Sequence, residues 1–187
     1  METSALLIVD MQNDFVLPDS AFRVVGAMAT VPTIVRLLNS YREHSLPVFH
    51  IVREYRADGS DIEHFRYPGF IEGQTYAIPG TNGCDIVDEL KPLPGEYRIV
   101  KRRFSAFMNT ELDLMLRRKG IDHVVITGTQ YPNCIRATAY DAVSLDYEVT
   151  VVTDATSAAS VDIAEANIRD MQNIGIRCVP SGEFLAN

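Results

Sequence analysis

Three residues of this chain, Asp10, Lys101 and Cys134, have the types needed to attack and cleave a carbonyl compound. A thiolate is a strong nucleophile, a carboxylate can move protons, and an ammonium steadies negative charge. Cys134 sits in Thr127-Gly-Thr-Gln-Tyr-Pro-Asn-Cys-Ile-Arg-Ala-Thr-Ala-Tyr-Asp-Ala142. The β-branched run His123-Val-Val-Ile-Thr127 before this loop reads as a buried strand, and Ile135, Ala139, Ala142 and Val143 after it recur at helical spacing. Cys134 is therefore expected where a helix begins. There it faces unpaired N–H groups and the positive end of the helix dipole, which favour the thiolate and can receive an oxyanion. Asp10 can take the thiol proton and pass it to a leaving amine, while Lys101 supplies positive charge. No His stands at a comparable strand end, so a Cys–His pair of the papain type is disfavoured. Cys84 and Cys178 read as structural thiols, because free cysteine often serves simply as a small hydrophobe.

The elements that must position these residues follow from the apolar runs. Ala5-Leu-Leu-Ile-Val9 is continuous, as in a central parallel strand covered on both faces, and it ends at Asp10. A helix is expected from about Thr30 to His44, with Thr30 as cap, Pro32 in the first turn and Ile34, Leu37, Leu38 and Tyr41 as the apolar stripe. Further strands are read at Pro47–Val52, Tyr97–Val100, Glu148–Val152 and Ile176–Val179. Helices are expected from Asn109 or Thr110 to Lys119 and over Val161–Ile174, with a short helix near Cys84–Leu90. His50, inside an apolar run, reads as a packed core histidine. Residues 57–82 form a long segment rich in Gly, Pro, Asp and aromatics, and a segment of that length in a compact domain is usually functional. Strands alternating with helices predict an α/β fold: a three-layer αβα, doubly wound, mainly parallel six-stranded sheet formed by one domain over 1–187. The ends of its strands bring Asp10, Lys101 and Cys134 to one edge, where such sheets place ligands.

Composition narrows the function classes. The chain has 187 residues, 47% hydrophobic and 22% charged, which suits one globular domain. Its net charge of −8 argues against nucleic-acid and anionic-membrane partners, which need basic patches. No apolar run approaches the roughly 20 residues of a membrane span. Met1-Glu-Thr-Ser runs into the first strand with no basic n-region, and three widely spaced cysteines suit a reducing compartment, so a cytoplasmic location is expected. The turn after the first strand is Asp10-Met-Gln-Asn, without the glycines of a nucleotide-binding loop.

Three blocks carry a resemblance: Leu7-Ile-Val-Asp-Met-Gln-Asn-Asp-Phe15, Val100-Lys-Arg-Arg-Phe-Ser-Ala-Phe107 and Gly128-Thr-Gln-Tyr-Pro-Asn-Cys-Ile135. In this order and spacing they resemble the signature blocks of the isochorismatase-like cysteine hydrolases. The resemblance implies a catalytic triad of Asp10, Lys101 and Cys134, and a cis peptide at Thr129–Gln130 that turns the Gln130 N–H beside the Cys134 N–H as an oxyanion hole. It also implies a small-molecule substrate and homodimers or homotetramers; substrate contacts are expected from Phe15, Phe107 and Tyr131, and Arg53 and Arg56 near the cleft either meet a substrate carboxylate or ureide or pair with Glu54, Asp58 or Asp61. Nicotinamidases of this family bind a metal through an Asp-x-His pair, which is replaced here by Glu54-Tyr55-Arg56. No metal and no cofactor are expected, because arginine is always protonated and cannot ligate a cation. The implied activity is thiol-dependent hydrolysis of a small amide or ureide, as in N-carbamoylsarcosine, ureidoacrylate and biuret hydrolases. The alternatives are metal-free cleavage of an isochorismate-like vinyl ether and a metal-independent nicotinamidase-like amidase.

Overall fold

Residues 4–186 are described by a computed structural model. Six strands form one sheet: β1 Ser4–Val9, β2 Val48–Arg53, β3 Tyr97–Lys101, β4 His123–Thr129, β5 Glu148–Ser157 and β6 Arg177–Val179. Their order across the sheet is β3-β2-β1-β4-β5-β6, and every neighbouring pair is parallel. Order reverses on either side of β1, which makes the carboxyl end of β1 the switch point where doubly wound sheets open a crevice. The chain thus has the α/β architecture that its alternating apolar runs predict.

The pleat sorts the strand residues between two cores. Ala5, Leu7 and Val9 of β1 face one side and Leu6 and Ile8 the other. The first side is covered by helices α4 Leu112–Arg118, α5 Arg136–Ser144 and α6 Val161–Asn173. The second is covered by α2 Ala27–Glu43 and α7 Ser181–Leu185. The α2 stripe is the expected one, with Ile34, Leu37, Leu38 and Tyr41 all fully buried. Among the described residues no helix is long and apolar enough to cross a membrane.

Several boundaries depart from expectation. Helix α2 starts three residues early, capped by Gly26 at φ 81°; Thr30 lies within it and bonds back to the Ala27 carbonyl, and Pro32 sits inside the helix. Strand β5 runs on to Ser157 because its end re-pairs with Gly128 and Thr129 across a register shift in β4. The expected helix at 84–90 is two single 3₁₀ turns, Asn82–Cys84 and Asp88–Leu90. Two short helices add to the expected elements: α1 Asn13–Val16 just after β1, and α3 Tyr67–Ile71 inside the long 57–82 segment.

Gly128 pairs with Val9 across the two central strands, with no room for a side chain between them. Its φ is 111°, and a Cβ there would lie 2.1 Å from the Val9 carbonyl oxygen and 2.8 Å from the Val9 nitrogen. Both atoms are backbone and cannot swing aside, so any side chain would force β1 and β4 apart beside Asp10. Gly128→Ala is expected to cost at least about 3 kcal/mol. For a chain of this size that lowers the melting temperature by roughly 6 °C or more. A calorimetric midpoint equal to the wild type's would refute this account of the β1–β4 contact.

Candidate active site

Asp10 leaves β1 with φ 53°, is 3% exposed, and donates its backbone N–H to the Ile51 carbonyl at 2.8 Å. Lys101, the last residue of β3, has no exposed surface at all. A buried ammonium needs a counter-charge, and Asp10 provides it: Lys101 Nζ lies 2.8 Å from Asp10 Oδ2 and donates also to the Arg103 carbonyl at 3.3 Å. The other carboxylate oxygen, Asp10 Oδ1, is buried without a hydrogen-bond partner.

Cys134 reaches the same point from β4, on the opposite side of β1 from β2 and β3. The Thr129–Gln130 peptide bond is cis. Tyr131–Ile135 then forms one π-helical turn that continues into α5. Helical winding therefore begins before Cys134, which lies inside the first turn and is 6% exposed.

Arg53, the last residue of β2, stands beside Lys101 in register. Its Nη2 lies 3.2 Å from the Cys134 sulfur and 3.2 Å from the Arg103 carbonyl oxygen. Its Nη1 donates to Glu63 Oε1 at 2.8 Å and to the Tyr55 hydroxyl, and its Nε is 3.9 Å from Asp10 Oδ2. The Tyr55 hydroxyl in turn donates to Glu63 Oε2 at 2.6 Å. Burial raises the Glu63 pKa, but the Tyr55 hydroxyl and Arg53 outweigh burial and hold it below the usual carboxylate range. Gln12, fully buried, ties this corner together. Its Nε2 donates to the carbonyls of Arg53 and Cys84, both at 2.9 Å, and its Oε1 accepts the Arg53 N–H at 2.7 Å.

The Cys134 thiol is held above its ordinary pKa. Burial is the largest cause; Asp10 adds to it, both as a nearby negative charge and as an acceptor for the thiol proton. Lys101 and Arg53 pull the other way. The thiol of the empty site is thus protonated at neutral pH, with an acceptor waiting beside it, rather than a standing thiolate made by the helix end.

Asp10, Cys134, Arg53, Thr129, Gln130 and Asn133 line a cavity of about 110 Å³. That space holds several waters or one small organic molecule. Phe15, Phe22, Val24, Tyr76 and Arg66 complete the wall. Of the expected substrate contacts, Phe15 and Arg53 are in this wall and the other three are elsewhere. Arg56 is exposed; its backbone N–H is held by Asp61 and its side chain lies outside the cavity. Phe107 stacks on Tyr147 in the core beneath α5, at a ring separation of 5.7 Å. Tyr131 is 1% exposed, belongs to that same core and donates to the Thr153 carbonyl. Neither aromatic is among the residues that line the cavity.

The long 57–82 segment is anchored rather than loose. Arg102 pairs with Asp61 at 2.8 Å, Arg103 donates to the Asp61 carbonyl, and Asp14 Oδ2 accepts the Ala77 N–H at 2.7 Å. Tyr55, Ile62, Phe70, Tyr76 and Ala77 form a small core of their own. Glu63, Arg66 and Gln12 escaped sequence reasoning. The only signal for the first two was the length and aromatic content of the segment, and for Gln12 its place three residues beyond the end of β1.

A metal does not fit at the positions where nicotinamidases carry ligands. Glu54 is taken by Arg98, Tyr55 is a buried phenol bonded to Glu63, and Arg56 is a cation. Among the described residues no three His, Cys, Asp or Glu side chains converge on one point.

With this geometry in place, comparison with known proteins is informative. The isochorismatase domain profile matches residues 4–182. An Arabidopsis thaliana protein described as a probable inactive nicotinamidase is 44% identical over 177 residues, covering 93% of this chain and 90% of that one. The crystal structure of an isochorismatase family protein from Desulfovibrio vulgaris is 54% identical, covers 99% of both chains, and superposes with a TM-score of 0.94. N-carbamoylsarcosine amidase from Thermoplasma acidophilum is 30% identical over 96% of both chains, with a TM-score of 0.80. The chain belongs to the isochorismatase family.

Proposed function

We propose that this protein is a cysteine-dependent hydrolase of a small amide or ureide C–N bond, working through a thioester. The observation that carries this reading is the convergence of Cys134 and the half-satisfied Asp10 carboxylate on one small cavity, with Lys101 buried behind them. Asp10 takes the thiol proton as the sulfur forms a bond to the substrate carbonyl carbon. The carbonyl electron pair moves to oxygen, where the Gln130 and Cys134 N–H groups receive the oxyanion. When the tetrahedral intermediate collapses, the C–N bond breaks and Asp10 gives its proton to the departing nitrogen. The thioester is then attacked by water, which surrenders a proton to Asp10; the C–S bond breaks and the sulfur recovers that proton. Lys101, 2.8 Å from Asp10 Oδ2, holds that carboxylate in place through these transfers.

Arg66 suits the far end of the substrate. It is partly exposed, its guanidinium packs against Phe65, Tyr76 and Phe104, and it lines the cavity. A planar, positively charged group between aromatic rings favours a carboxylate or a polar ureide. The similarity to N-carbamoylsarcosine amidase supports the same substrate class.

A panel of N-carbamoyl acids, simple ureides and small amides, read by ammonia release, tests the proposal. At least one N-carbamoyl acid is expected to turn over, and dialysis against a chelator is expected to leave the rate unchanged. Cleavage of a vinyl ether with no ammonia from any amide would overturn it. So would activity that falls on chelation and returns with zinc.

A further inference from the structure

Arg53 Nη2 lies 3.2 Å from the Cys134 sulfur, and we infer that Arg53 is a catalytic residue whose guanidinium stabilises the thiolate as Asp10 removes the thiol proton. The inference rests on Cys134 as the nucleophile.

Lys101 also acts on the thiol through its charge, but its ammonium donates to Asp10 Oδ2 and to the Arg103 carbonyl. Arg53 Nη2 sits at 3.2 Å from the sulfur, within reach of an N–H···S contact. Nor is Arg53 available as a clamp for a substrate carboxylate. Its Nη1 is taken by Glu63 and Tyr55, and its Nη2 by Arg103 and Cys134. The guanidinium is buried, with only 3% of its side chain exposed, and it lies over the Phe104 and Tyr55 rings. Gln12 fixes its backbone from both sides. A buried cation held this rigidly can stabilise charge that appears on the sulfur without moving, which is what transition-state electrostatics require. Glu63 and Tyr55 are positioning residues: they hold the fork so that Nη2 faces the sulfur, and the Glu63 carboxylate partly offsets its charge.

The chemistry balances within the site. The S–H bond breaks, the proton goes to Asp10, and the electron pair stays on sulfur beside Arg53 until it bonds to the substrate carbon.

The test needs no substrate. Cys134 alkylation by iodoacetamide is followed against pH by peptide mapping in the wild type, Arg53→Gln and Glu63→Gln. An opposite charge at contact distance moves a pKa by about 1–3 units, and a less acidic thiolate is intrinsically more nucleophilic. Together these make alkylation of Arg53→Gln about three- to thirtyfold slower at neutral pH, with its midpoint moved up. Should Arg53→Gln fail to fold, Glu63→Gln carries the test: it keeps an acceptor for Nη1 but frees the guanidinium charge, so the midpoint is expected to fall. A folded Arg53→Gln with the wild-type profile overturns the assignment, as does an unchanged profile in Glu63→Gln. A shifted profile in a protein that hydrolyses no amide would leave Arg53 in this role and remove the amidase reading instead.

Discussion

Replacing Cys134 with alanine is expected to remove turnover and leave the fold in place. In the proposed mechanism the thiol forms and breaks the covalent bond to substrate, and among the described residues no other cysteine lines the cavity. Cys84 is buried against the Arg53 carbonyl and Gln12, with its pKa pushed up to about 11 first by burial, and Cys178 is half-buried on β6. Loss of a hydrolase nucleophile costs on the order of 10⁵- to 10⁶-fold in kcat. The change in stability should stay near about 1 kcal/mol, since one buried sulfur is lost and no charge is orphaned. Ammonia release on an identified substrate and a thermal melt are sufficient measurements. Cys84→Ala and Cys178→Ala should keep their activity. Wild-type turnover in Cys134→Ala would end the covalent mechanism.

Asp10→Asn is expected to split two readouts that most damaging substitutions move together. Without the carboxylate nothing accepts the thiol proton or delivers one to the leaving nitrogen, and turnover should fall by about 10²- to 10⁴-fold. The same change removes a negative charge that holds the Cys134 pKa up. The thiol should therefore become more acidic, and its alkylation at neutral pH should speed up while catalysis fails. Lys101 loses its counter-charge in a fully buried position, so the variant should also melt earlier. The asparagine oxygen can still accept from Nζ, which limits that loss. Turnover and alkylation falling in parallel would mean that Asp10 is not the proton carrier.

Much of this arrangement was legible in the sequence because it rests on apolar runs and their ends. Ala5–Val9, His123–Thr127 and the α2 stripe are long, unmixed signals, and they placed Asp10 and Cys134 at one sheet edge. What escaped was the direction of side chains just beyond those ends. Tyr131 and Phe107 belong to the signature blocks, yet both are packed in the core and neither lines the cavity. Arg53 and Arg56 looked equivalent from spacing. One is locked inside by Glu63, which is ten residues further on in a segment without periodicity, and the other turns outward. The sign of the thiol's pKa was also hidden: the helix start is visible in a sequence, but the depth at which it is buried is not.

Glu63 has a consequence for changing what this enzyme accepts. The segment that carries it also carries Arg66 and Tyr76, the side chains that shape one wall of the cavity. A loop that only selected substrates could be exchanged freely, leaving the bond-breaking apparatus untouched. Here one residue of that loop grips the cation in contact with the sulfur. Grafting a foreign 57–82 segment would retune the nucleophile along with the pocket. New specificity reached that way would arrive with altered reactivity, whereas point changes at Phe15, Phe22 or Arg66 could vary the pocket alone. Selectivity and reactivity are inherited together along this stretch of chain.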